Sequence, residues 1–141
     1  MDSSRRESLT RFLESAVSEP FRWGATDCIT FANQAVRVQR GHGFVDDLLT
    51  LRQHTTELGA LRLWQMAQKQ TGCTDIVDLL DARLTRSPRL YPQTGSVVAR
   101  PLAEAMVFSH AIGIMGVRGP VYMTPEGFQR FRLDGDLSWE I

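Results

Sequence analysis

The spacing of apolar residues changes once along this 141-residue chain, near Gly95, and that change constrains the fold more tightly than anything else in the sequence. Before it, apolar positions recur at helical intervals. Leu9, Phe12, Leu13, Ala16 and Val17 form one stripe and predict a helix over residues 4–18, stopped by Pro20. Cys28, Phe31, Ala32, Ala35 and Val36 repeat the pattern, with Thr26 or Asp27 as cap and Gly41 to Gly43 as the exit. Leu58, Leu61, Trp64, Met66 and Ala67 predict a third helix over residues 56–70, closed by Gly72; Ile76, Leu79, Leu80 and Leu84 predict a shorter one. After Gly95 the runs are short and β-like, over residues 96–99, 105–115, 120–123 and 128–133. Gly116, Gly119-Pro120, Pro125-Glu126-Gly127 and Asp134-Gly135 punctuate them. Helices first and antiparallel strands second predict an α+β fold, one domain over 1–141 that is helical over 1–85 and a small antiparallel sheet over 95–141.

Charge excludes some function classes. Sixteen basic and sixteen acidic residues cancel, so no net field draws the molecule to nucleic acid or to an anionic membrane. The local clusters, Arg5-Arg6 and Arg83, Arg86, Arg89, lack stacking aromatics on a matching period and read as solvated surface. Residues 1–6 carry no apolar run of the signal-peptide kind, and no stretch is long and apolar enough for membrane insertion, which predicts synthesis in the cytosol. Two cysteines, Cys28 and Cys73, make neither a disulfide framework nor a metal site by spacing, and no cofactor motif is present.

Cys28 carries the chemistry. A thiol attacks only as thiolate, and a helix N-terminus favours thiolate through its unpaired N–H groups. Cys28 stands at such a terminus and, being in phase with Phe31 and Ala32, turns inward toward whatever sheet covers the helix. The same phase suits a small core residue, and Trp23 suits a core aromatic. His42 in a Gly-x-Gly loop and His54 in a polar stretch are expected in solvent; Cys73, beside Gly72, reads as a helix-end residue without a partner. Asp27 is expected as a cap more than as an acid.

The string Phe21-Arg22-Trp23-Gly24-Ala25-Thr26-Asp27-Cys28-Ile29-Thr30-Phe31 resembles the nucleophile segment of NlpC-type, papain-like cell-wall peptidases, where a Trp-Gly pair precedes an Asp-Cys that opens a helix. Gly95-Ser96-Val97-Val98 is similar to that family's Gly-Asp-Val-Val strand entry, and Ser109 to Ile114 to its histidine strand. The likeness is greatest to the small NlpC-like tail-assembly and tail-tip proteins of long-tailed bacteriophages and gene transfer agents, which also carry a tryptophan near the C-terminus, here Trp139.

This resemblance implies a virion protein of the phage tail, made in the host cytoplasm, that contacts other tail-tip and hub proteins, with residues 56–84 as the candidate surface. It implies two functional readings: a structural tail component with possible hydrolase activity during entry, or an active cysteine peptidase or amidase that cuts peptidoglycan stem peptides. In the second, Cys28 is the nucleophile, its backbone N–H an oxyanion donor, His110 the base, and Thr124 or Tyr122 the group that orients the imidazole; Trp23 and Asp27 line the substrate side. The sequence departs from the family at three points: Ile29 replaces the serine that often follows the cysteine, Thr124 and Tyr122 replace the usual polar orienting residue, and Gly113 stands three residues after His110 instead of two. Because strand side chains alternate, alignment on Gly113 would put Ala111 in the histidine's place and turn His110 to the wrong side, unless a bulge intervenes.

Overall fold

A computed structural model describes residues 3–103 and 107–141. Helix α1, Ser3–Ala16, buries Leu9, Leu13 and Ala16. It packs on α2, Cys28–Arg40, which Asp27 caps by accepting from the Thr30 N–H and Gly41 ends in a left-handed conformation. A single turn, α3 (Asp46–Leu49), precedes α4, Glu57–Thr71, capped by Thr56 and closed by Gly72. Helix α5, Ile76–Arg83, follows with Asp75 as its cap. These helices match the four predicted from periodicity to within two residues at each end; α3 is an addition.

The sheet has six strands, β1 (Thr85–Arg86), β2 (Val97–Pro101), β3 (His110–Gly116), β4 (Gly119–Thr124), β5 (Gly127–Arg130) and β6 (Leu137–Glu140). Their order is β1-β6-β2-β3-β4-β5, antiparallel throughout. Strands β2 to β5 form a meander, and β6 returns to cover the open edge of β2. Two strands were not foreseen. β1 is two residues long, and β6 contains the Leu-Ser-Trp-Glu run around Trp139, which is wholly buried and donates its indole N–H to Asp81 at 2.8 Å. The expected strand over residues 105–115 begins among residues that lie outside the described ones; of its described part, residues 107–109 are not strand and residues 110–115 lie in β3.

Alternation sorts the sheet into two faces. Val97, Ala99, Ile112, Ile114, Val121, Met123 and Trp139 join the helical core with Phe31, Ala32, Ala35 and Val36 of α2. Val98, Met115 and Tyr122 form a second, smaller cluster on the opposite face, with Ala111 and Phe131 against it. His110 shares the parity of Ile112 and Ile114, so it stands on the helix side. No bulge is needed: the register Val98↔Gly113↔Tyr122 runs unbroken. Gly113 has a steric reason of its own, because a Cβ there would meet the Tyr122 ring at 2.7 Å and the Val121 carbonyl closer still. The three-residue spacing from His110 therefore does not misplace the histidine; Ala111 faces away.

Candidate functional site

The loop before α2 is shaped around one carboxylate. Asp27 accepts from the N–H of Gly24 at 2.7 Å and from the N–H and hydroxyl of Thr30, each at 3.0 Å. A fourth donor comes from far along the chain: His54 Nε2 lies 2.9 Å from Asp27 Oδ2. A carboxylate can only accept, so that nitrogen carries the hydrogen. Both side chains are buried, 6% and 1% exposed for His54 and Asp27, which corrects the expectation that His54 is in solvent. The sequence around His54 is polar, but its partner lies 27 residues earlier, and local composition carries no trace of it. His42 is exposed, as expected.

Gly24 completes this arrangement. Its φ of +82° lies in the left-handed region, and a Cβ would run into the backbone carbonyl of His54. The Trp-Gly-x-x-Asp-Cys segment is thus a closed structural unit in which glycine lets the chain approach His54, and aspartate gathers the loop and the helix start. Burial pushes the Asp27 carboxyl up, but the hydrogen bonds from His54, Thr30 and Gly24 outweigh it and hold the group below the usual carboxylate range. Asp27 is a buried cap, not an exposed substrate contact.

Cys28 follows at the first helical position, half-buried, with a free thiol. The backbone N–H groups of Ile112, Ile29 and Cys28 itself favour its thiolate, yet burial and then the Asp27 charge prevail, and the thiol is pushed up to about 12. The expected lowering by the helix terminus is real in sign and too small in size. At neutral pH this is a protonated thiol.

Cys28 and His110 line one concave, chiefly apolar pocket with Phe21, Trp23, Phe108, Ala111, Met123 and Thr124. Phe21 and Trp23 meet edge to face, with centroids 4.9 Å apart, and wall it on the loop side. The sulfur sits by the Ile112 amide, two residues along β3 from His110, or roughly 7 Å of strand. His110 is partly exposed, and its Nδ1 lies 2.8 Å from the Ser109 hydroxyl. The two expected orienting groups are engaged elsewhere: Thr124 Oγ1 donates to the Gly127 carbonyl at 3.0 Å, and the Tyr122 hydroxyl donates to Asp136 on the far face of the sheet. Ser109 holds the ring instead, a residue that sequence reasoning placed in the histidine strand but gave no role.

A second pocket, which shares Trp23 and Phe108 with the first, is lined also by His54, Leu63 and Trp64, and Trp64 stands edge to face with Phe108 at 5.2 Å. Leu58, Leu61 and Met66 of α4 are exposed. Among the described residues no group of three or more His, Cys, Asp or Glu could hold a metal ion, and no helix is long and apolar enough to cross a membrane.

No curated protein and no solved structure matches the chain. A family model does, over residues 2–141, so the chain belongs to the family described as a domain of unknown function, DUF6950.

Proposed function

We propose that this protein is a tail-tip component of a bacteriophage or related particle, built on an NlpC-like, papain-like fold, whose Cys28–His110 pocket cleaves peptidoglycan stem peptides. One observation carries the reading: Cys28 and His110, remote in sequence, line the same pocket from the N-terminus of α2 and the start of β3. In the reaction His110 takes the Cys28 proton, and the sulfur attacks the scissile carbonyl carbon. The tetrahedral oxyanion faces the N–H groups of Cys28 and Ile29, and His110 returns the proton to the departing amine. Water then hydrolyses the thioester. With the thiol held near 12 at rest, this reading requires bound substrate to bring the Cys28 thiol and the His110 imidazole within hydrogen-bond reach before the proton moves.

The test is digestion of purified sacculi by the wild-type protein, C28A and H110A, with soluble muropeptides resolved by chromatography. The proposal expects new free amino groups from the wild type and at least a hundredfold less from either variant. Equal traces from all three would sink the enzymatic part.

A second reading keeps the fold and the tail position and drops catalysis. The raised thiol favours it, since a cysteine pushed to about 12 is a core residue in its chemistry. Particles assembled with C28A distinguish the two: unchanged infectivity would leave a structural tail protein.

A further inference from the structure

The buried pair Asp27–His54 has no role in the hydrolysis just described, yet it lies against the nucleophile. The aspartate is adjacent to Cys28 in the chain, and its four donors come from the loop (Gly24), the first turn of α2 (Thr30, twice) and the segment between α3 and α4 (His54). Three separate segments thus meet on the carboxylate of the residue that precedes Cys28. We infer that His54 is a positioning residue for Cys28: through its hydrogen bond to Asp27 it fixes the first turn of α2 and tempers the negative charge that the sulfur faces.

The physical case has two parts. For position, a helix start held by a single cap frays within its first turn, whereas this one is tied to a histidine on a different segment, with the His54 backbone pressed against Gly24. For charge, an anion next to a thiol disfavours thiolate, and the Asp27 carboxylate acts on Cys28 in this direction. A donor on that carboxylate draws its charge away from the sulfur. Removing the donor leaves the charge less compensated; removing the charge relieves the sulfur.

The inference rests on Cys28 being the nucleophile, but its test reads the thiol directly. Iodoacetamide labelling of Cys28, followed by mass spectrometry of its peptide at pH 8, is compared in wild type, D27N, H54L, H54Q and the D27N/H54L double variant. Well below the thiol's pKa the rate follows the thiolate fraction. D27N keeps a capping oxygen and removes the charge, so labelling is expected to rise about tenfold. H54L is expected to slow it about threefold when Asp27 is present and to change it by less in the D27N background, where only the loosened helix start remains. H54Q, which retains a donor at the same reach, is expected within twofold of wild type.

The double-mutant cycle separates charge from loosening, because a loosened helix start changes labelling by the same factor in both backgrounds. Equal factors in the two backgrounds, or no change on D27N, would overturn the tempering of charge, and no effect of H54L in either background would overturn the positioning. Sacculus digestion by the same variants keeps the two claims apart. A coupled labelling pattern without digestion would refute the hydrolase and keep the pair's role, and digestion with uncoupled labelling would do the reverse.

Discussion

Asp27 and Asp136 are both carboxylates turned inward, each held by several donors and each below the usual carboxylate range, yet their surroundings differ in sign. Asp136 lies on the sheet face away from the helices, where Arg100 meets it with two nitrogens, at 2.8 and 3.1 Å, and the Tyr122 hydroxyl adds a third donor. Arg100 also lies over the rings of Tyr122 and Phe131, 5.3 and 4.7 Å from their centroids. There the charge is matched by a cation, and the cluster has no nucleophile. Asp27 instead has neutral donors and a histidine, and the next residue is Cys28. The first arrangement is a structural clamp; the second leaves a negative charge where a thiol must feel it. Burial alone does not identify a site, and the neighbour of the charge does.

The far-face clamp gives the largest expected effect. D136A strands the Arg100 guanidinium beside two rings, with its side chain only 22% exposed, and should cost about 3 kcal/mol in urea unfolding. Cys28 labelling should not change, because the cluster lies across the sheet. A change in labelling would break the contrast between the two carboxylates.

Next in size is G24A. The left-handed φ and the approach of the His54 carbonyl together should cost about 2 kcal/mol, and here both stability and Cys28 labelling should move. If stability falls with labelling intact, the loop and the nucleophile are less connected than the geometry says.

Acid sharpens the comparison further. For both carboxylates the folded pKa is depressed, so their stabilisation is fully present above the ordinary value of 3.8 and is lost as pH falls below it through the folded values. The urea midpoint should hold between pH 7 and 5 and decline below 3.8. D136N and D27N should each flatten that decline. A decline beginning near pH 6 would mean that another group governs it.

Much of this was legible in the sequence, and the remainder was hidden for definite reasons. Helix limits followed from period and caps: Asp27, Thr56, Gly41 and Gly72 all stand where their residue types predict. The α+β order followed from the change at Gly95. The site was half legible. Cys28 and His110 were named from a motif and a strand, and they do line one pocket. The thiol's resting state was not, because the favourable effect of the helix terminus is local and visible, whereas burial and the charge of Asp27 depend on the packed structure. His54 was missed since its partner is on another element. β6 was missed since a four-residue strand at the chain end has too few alternations to register.

The smallest expected effect concerns Thr124, the orienting residue the sequence suggested. Its hydroxyl donates to the Gly127 carbonyl and lies 3.2 Å from Glu126, within the turn between β4 and β5. His110 Nδ1 is meanwhile held by Ser109. T124V should therefore cost about 1 kcal/mol of stability through the lost turn bond and change sacculus digestion by less than twofold. S109A, which removes the hydroxyl on the imidazole, should lower digestion about tenfold at little cost in stability, since Ser109 is exposed. The reverse ranking of the two variants in digestion would mean that His110 exchanges Ser109 for Thr124 when substrate is bound, and the orienting role would return to the strand on which the family resemblance placed it.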